Sequence, residues 1–406
     1  MISFKEARRR ILRKTTPLPR TRVRLSEAAG YVLAAPVITR YHIPRFDSSA
    51  VDGYGVHWQD VTSASESSPV SLRLAGAVRA GDVSKKTVPR GSCVKLMTGA
   101  KVPRGVDAVI MREHTDEVNH AVTVSSPAKR GDNVRLNGEE FTRGAVVLSE
   151  GALITPTAVG LLATVGCSTV RVHRKPRVAL IVTGNELVAA DKSLKEGKIR
   201  DSNSPALIAA LQRLGVKPGM VARTVDSRAA IARALNSALK VSDVVITVGG
   251  VSVGDFDYVK GVAERYGIER GFWRVAIKPG KPFFFGTKGR KLVFGLPGNP
   301  VSALITFHLF VVPAIHKMMG GKLKEDLLLR ARLEHSLSRN PHRMEFVRGL
   351  VRRRASDGLV VSSTCGQGSH MLGGLAAANC IIYVLPGRGL LPKRSFVDVQ
   401  ILSWNM

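Results

Sequence analysis

The run SDVVITVGGVSVGDFD (residues 242–257) reads as a buried strand, a glycine turn and a pair of carboxylates. Its apolar and β-branched stretch from Val244 to Val248 is too short for a helix and is bounded by polar and glycine residues, which suits a strand covered on both faces. RVALIVTGNE (residues 177–186) and KLVFGLPGNP (residues 291–300) repeat the pattern. Between the strands, SPALIAALQRLG (residues 204–215) and VDSRAAIARALNSAL (residues 225–239) carry helical spacing, the first with Ser204 as cap and Gly215 as stop. Such alternation predicts an α/β domain with a parallel sheet and helices on both faces, whose ligands sit at the carboxyl ends of the strands. TGNE, GGVSVGDFD and PGNP each follow a strand and are expected on that rim.

The rim residues point to anions. Gly249 and Gly250 let the backbone approach a ligand closely and leave N–H groups for phosphate oxygens. Asn299 as N-cap and Pro300 at the first helical position start a long apolar helix whose positive end faces the same rim. In IKPGKP (residues 277–282), Pro279 and Pro282 stiffen the chain around Lys278 and Lys281, a pair suited to a doubly charged oxyanion. Glu186, Asp201, Asp226, Asp255 and Asp257 bring carboxylates to the same place, and carboxylates beside a phosphate suit a hard divalent cation such as Mg²⁺. Asp201, just ahead of Ser202-Asn203, also suits a helix cap. The 10 histidines lack zinc spacing, and no Walker motif occurs. The residues by themselves therefore lead to phosphate and oxyanion handling with metal help.

Outward from this core, 406 residues call for several domains. Phe4, Ala7 and Ile11 predict an amphipathic first helix, and Ser26 ahead of EAAGYVLAAP predicts a second ending before Pro36. Short Val-, Gly-, Ser- and Thr-rich segments from Ile43 to about Arg143 predict a compact β-rich domain. Its loops carry Asp47, Asp52 and Thr98, each either a turn former or a substrate contact. Helical spacing returns after Pro156, so the β-rich part reads as an insertion into an elongated helical domain whose later helix packs on the first ones. Residues 322–406 predict a small sheet or barrel.

With 44% hydrophobic and 23% charged residues the composition is globular, and no run approaches the roughly 20 apolar residues of a membrane helix. No export signal is read at the start, and four scattered cysteines suit a reducing cytoplasm. The 61 Lys plus Arg against 31 Asp plus Glu give a net charge of +30, which favours anionic partners. Scattered arginine clusters, 5% aromatics and no nucleic-acid module argue against a nucleic acid as that partner.

Taken together, FDSSAVDGYG, TGAKVPRGVDAVI, GDNVRLNGEE, RVALIVTGNEL, GGVSVGDFDYV, FWRVAIKPGKP, GLPGNPVSA and GQGSHML…ANC resemble the molybdopterin molybdenumtransferase family, which includes MoeA-like proteins and the gephyrin E domain. The resemblance runs in order from about residue 3 to the end. It implies an elongated helical domain (1–44 and 142–175), an inserted β-rich domain (45–141), an adenylyltransferase-like three-layer α/β domain (176–321) and a C-terminal β-barrel (322–406). It implies a homodimer that inserts molybdate into adenylylated molybdopterin with Mg²⁺-dependent release of AMP, and a molybdopterin adenylyltransferase or a molybdoenzyme as partner candidates. Asp52, Thr98, Glu186, Asp226 and Asp257 match family positions at or near the active site, with Glu186, Asp226 and Asp257 as candidate metal ligands. Lys278, Lys281, Arg343 and Ser369 match positions around the oxyanion, and Gly249, Gly250, Ser252, Asp255 and Asn299 are expected to line substrate. In the family dimer, Asp52 and Thr98 would come from the other subunit. Arg274, Val51 and Glu140 stand where relatives often have Lys, Met and Asp, and none removes a motif. Alternatives of the same sequence are molybdopterin adenylyltransfer, a scaffold or cofactor carrier, and a tungstate-using paralogue.

Overall fold

The computed structural model describes residues 1–250, 259–322, 327–355, 357–402 and 404, and forms two compact units. One comprises Met1–Ala35, Gly151–Thr155 and Thr169–Met406; the other comprises Pro36–Glu150 and Pro156–Ser168.

The larger unit is built on a six-stranded sheet in the order Met220–Thr224, Val178–Thr183, Val244–Val248, Lys291–Leu296, Phe284–Lys288, Glu269–Trp273. The first four strands are parallel; Val178–Thr183, Val244–Val248 and Lys291–Leu296 are apolar runs buried on both faces, and Met220–Thr224 is a half-exposed edge strand. Val178, Leu180 and Val182 point into one core with Leu207 and Leu211 of the helix Asn203–Arg213. Ala179 and Ile181 point into the other with Ile231 and Leu235 of the helix Arg228–Val241. The sheet is mixed rather than wholly parallel, because Phe284–Lys288 and Lys291–Leu296 form a tight antiparallel hairpin and Glu269–Trp273 pairs antiparallel beyond it.

A five-stranded barrel follows. Met344–Arg354 pairs with Gly358–Ser363, then come Leu328–Leu333, Phe396–Ile401 and Cys380–Val384, and the last pairs back to Met344–Arg354. Ala331, Leu333, Val361, Ile382, Val397 and Val399 fill it. Ile277–Lys278 adds to the barrel in parallel beside Met344 and Glu345.

At the N-terminus, Phe4–Lys14 is the amphipathic helix its spacing predicts, capped by Ser3 and buried through Phe4, Ala7 and Ile11. The predicted second helix is not formed. Only a 3-10 turn, Leu25–Glu27, precedes Val32 and Leu33, which bridge to Leu153 and Val172. Both residues are fully sequestered there, so tertiary burial overrides the local helical preference of the segment.

The smaller unit carries a six-stranded sheet ordered Ala108–Met111, Gly53–Val56, Ser92–Leu96, Val70–Val78, Ala121–Val124, Thr115–Val118. Tyr54, Val56, Leu72, Cys93 and Ile110 form its core. The helix Pro156–Thr164 belongs to this unit, where Leu161 and Val165 pack with Ile43 and Val147 instead of serving the first helix.

Candidate active site

The carboxyl ends of the parallel strands carry the first group of candidate residues. Beyond Val178–Thr183 the chain turns at Gly184, where a side chain would lie 2.8 Å from both carboxylate oxygens of Glu186. The missing Cβ thus leaves room for Glu186 to fold back over the strand end. Glu186 and Asp226 line one open cleft of about 400 Å³ with Asn185, Gly197 and Lys198. Asn185 Oδ1 accepts from the Asp226 N–H at 3.1 Å, and the Lys198 ammonium donates to the Asn185 carbonyl at 2.7 Å. Asp226 Oδ1 is buried and has no hydrogen-bond partner among the described residues.

Asp201 is a structural cap. It is almost fully buried, accepts from the Ser204 N–H and hydroxyl, and pairs with Arg223 at 3.2 Å. The helix starts at Asn203, so Ser204 sits in its first turn and the capping oxygen is the Asp201 carboxylate.

Gly249 and Gly250 both have positive φ, 87° and 64°. A Cβ on Gly249 would lie 2.7 Å from the Thr183 carbonyl oxygen. The Gly249 N–H is not left for a ligand: it donates to the Leu296 carbonyl at 3.1 Å and ties two strand ends together. Asn203 Nδ2 secures the neighbouring turn through the Gly298 carbonyl at 2.7 Å. Ser252, Asp255 and Asp257 lie outside the described residues.

Pro300–Thr306 opens the apolar helix with Asn299 at the cap position and Pro300 in the first turn. The helix continues through a π segment, Phe307–Val311, to Met318, and its length and hydropathy are those of a span, but it is mostly buried in the core. The Asn299 side chain does not cap it. It donates to Ser369 Oγ at 2.9 Å, while the Val301 N–H donates to the Ser369 carbonyl at 3.1 Å. The helix start and the barrel's GQGS turn are therefore one structure.

Lys278 is 57% exposed, and its ammonium lies 2.8 Å from Glu345, whose side chain is 8% exposed. This counter-charge follows from the parallel pairing of Lys278 with Glu345. Lys281 is exposed and Arg343 half-buried, and neither makes an ion pair among the described residues.

Two residues missed by sequence reading belong here. Glu345 is one, and Arg348 is the other. Arg348 is fully buried, donates to the carbonyls of Gly366 and Gly368, and leaves Nε and Nη1 without a partner among the described residues. Burial pulls its pKa down from the usual arginine value. The adjacent Gln367 side chain accepts from the Arg348 N–H at 3.1 Å and donates to the Arg348 carbonyl at 3.0 Å, so the turn before Ser369 is held on both sides. The signal was an arginine inside the apolar run EFVRGLV.

In the smaller unit, Asp52 Oδ1 accepts from the Thr98 N–H at 2.6 Å and the Thr98 hydroxyl at 2.8 Å. These bonds, the N–H first, hold the Asp52 pKa below the ordinary aspartate value. Asp47 does not hold its own backbone as a turn former would: its carboxylate accepts from the Asn137 N–H, 90 residues away, at 2.7 Å.

Family models match the chain in three segments. They are the MoeA N-terminal region (domain I and II) over residues 2–166, a probable molybdopterin binding domain over 179–317, and the MoeA C-terminal region (domain IV) over 330–402. A molybdopterin molybdenumtransferase of Staphylococcus epidermidis is 36% identical over 408 residues, covering 100% of this chain and 96% of its own. One of Staphylococcus aureus is 35% identical over 386 residues, covering 95% and 92%. A crystal structure of the molybdopterin biosynthesis moeA protein of Pyrococcus horikoshii OT3 superposes with a TM-score of 0.83 at 29% identity, covering 99% of this chain and 100% of that one.

Proposed function

The chain belongs to the molybdopterin molybdenumtransferase family, transferases of molybdenum cofactor biosynthesis, and from that we propose that it inserts molybdate into adenylylated molybdopterin with Mg²⁺-dependent release of AMP. The observation that carries this reading is the Asn299–Ser369 hydrogen bond. With the amide donating to Ser369 Oγ, the hydroxyl proton is left to point at an oxyanion. Lys278, Lys281 and Arg343 add charged donors for the remaining oxygens of tetrahedral molybdate. Glu345 restrains Lys278 while leaving its exposed side able to donate. Catalysis is then mainly positioning and electrostatics.

The cleft chemistry fits Mg²⁺. Asp226 offers an unpartnered buried oxygen, Glu186 lines the same cleft, and no group of three or more metal-binding side chains gathers among the described residues. Two carboxylates completed by phosphate oxygens are a common Mg²⁺ arrangement. When bound, the ion supplies charge neutralisation at the adenylate phosphate. Glu186 and Asp226 would hold it, with Asp257 as a third candidate.

The same reading includes a cytoplasmic homodimer, in which a second copy supplies Asp52 and Thr98, and the four-part domain division set out above. Thr98 keeps Asp52 ionised and fixed.

Purified protein given adenylylated molybdopterin, Mg²⁺ and molybdate is expected to release AMP and yield cofactor; neither product appearing would end the proposal. Lys278→Ala is expected to weaken molybdate use more than pterin binding, and equal loss of both removes the role given to Lys278. Mixing Asp52→Ala with Lys278→Ala protein tests the dimer, since shared sites regain activity in mixed pairs.

A further inference from the structure

The chain enters and leaves the β-rich sheet of the smaller unit through a two-stranded neck. Val37–Ile38 pairs with Val146–Leu148 at one end, and Ile43 bridges to Phe141 at the other. Backbone bonds clamp both ends: the Thr39 N–H to the Ala145 carbonyl at 3.1 Å, the Gly144 N–H to the Thr39 carbonyl at 2.9 Å, and the Ile43 N–H to the Phe141 carbonyl at 2.8 Å. Between the clamps, residues 40–42 and 142–143 leave the ladder and open a concavity of about 690 Å³. That is within the usual size of small-molecule sites.

Its charged lining is of one sign. Arg40, Arg45 and Arg143 line it with Tyr41 and His42, and no carboxylate among the described residues does. None of the three arginines makes an ion pair among the described residues. The walls are ordered by the chain itself. Thr39 Oγ1 donates to the Tyr41 carbonyl at 2.7 Å, the Arg143 N–H donates to His42 Nδ1 at 3.4 Å, and the Arg45 guanidinium stacks over the Tyr41 ring at 4.5 Å. Guanidinium groups lining one concavity without a carboxylate among them repel one another, and an anion between them relieves that repulsion. A planar fork matches two oxygens of one phosphate, so cations on opposite strands fit an anion with oxygens at both ends.

We propose that this neck is a second anion site that binds a diphosphate group, free or carried on a nucleotide. The site shares no residue with the proposed active site, and the inference does not rest on the proposed function.

The test is calorimetric titration of the full-length protein with inorganic pyrophosphate at near-physiological salt, where diffuse charge attraction is screened. Saturable binding of one pyrophosphate per chain is expected. Arg143→Ala should weaken it at least about tenfold, and Arg143→Lys, which keeps the charge but loses the fork, should weaken it by about threefold or more. Arg233→Ala, an exposed arginine on the helix Arg228–Val241, should leave it unchanged. Thermal melts confirm that each variant is folded, and the lysine variant serves if alanine unfolds the neck. ADP matching or exceeding pyrophosphate assigns a nucleotide-borne diphosphate; pyrophosphate binding that ADP does not displace assigns the free anion. No saturable binding, or a loss in Arg233→Ala equal to that in Arg143→Ala, overturns the proposal.

Discussion

Asn299 Nδ2 donates to Ser369 Oγ across 2.9 Å, joining the start of a buried apolar helix to a turn of the C-terminal barrel. A capping position is thereby converted into a polar link between two parts of the larger unit. The first expectation is that Asn299→Ala raises the molybdate concentration needed for half-maximal AMP release by roughly tenfold, the effect of losing one orienting hydrogen bond. Pterin binding, followed by its fluorescence, should change little. An unaltered molybdate dependence would remove Asn299 from the oxyanion site.

Arg348 predicts a stability effect coupled to activity. Arg348→Ala strands the Gly366 and Gly368 carbonyls and opens a cavity where a fully buried side chain stood. Urea denaturation should show a loss of about 2–5 kcal/mol. Arg348→Met fills the space without a buried unpaired charge, so it should recover most of that stability. It should still lower turnover, because the turn carrying Ser369 loses its anchor. Full turnover in a stable Arg348→Met protein would show that the arginine only fills space.

The Asp52–Thr98 pair gives a pH-dependent expectation. The Asp52 pKa lies below its ordinary value of 3.8 in the folded state, held there first by the Thr98 N–H and then by its hydroxyl. A depressed carboxylate stabilises the fold above the unfolded pKa, and that contribution is lost as pH falls through the folded value. Wild-type protein should therefore exceed Asp52→Asn in urea midpoint at neutral pH, and the difference should shrink only once the pH drops below 3.8. A difference already gone well above that pH would contradict the assignment.

Gly249 should not tolerate a side chain. Its φ is 87°, and an alanine Cβ would lie 2.7 Å from the Thr183 carbonyl oxygen. Gly249→Ala is expected to destabilise by about 1–3 kcal/mol, from left-handed strain and displacement of the neighbouring strand end. Thermal denaturation checks this directly.

Removing a carboxylate proposed to hold Mg²⁺ should act on chemistry more than on the fold. Asp226→Asn keeps the Asp226 N–H to Asn185 bond and the cleft shape but lowers the charge. AMP release should fall at least about tenfold, with partial recovery at high Mg²⁺. Melting temperature should stay near wild type. Magnesium-independent turnover in the wild type would overturn the metal role.

The sequence by itself determined the strands Val178–Thr183, Val244–Val248 and Lys291–Leu296, the helix Phe4–Lys14 and the candidate loops after the strands, because burial on one or two faces writes a local period into the chain. It also carried the family motifs. Tertiary structure alone decided the rest. Val32 and Leu33 are drawn into bridges with distant residues, so no helix forms there. The Gly249 N–H is taken by Leu296, Lys278 acquires Glu345, and Arg348 is buried beneath the turn that leads to Ser369. Asn299 and Ser369 are 70 residues apart, and a hydrogen bond over that separation leaves no period in either segment. Local pattern records which side of an element faces the core, whereas the partner of a polar side chain is chosen by whatever the fold brings within about 3 Å.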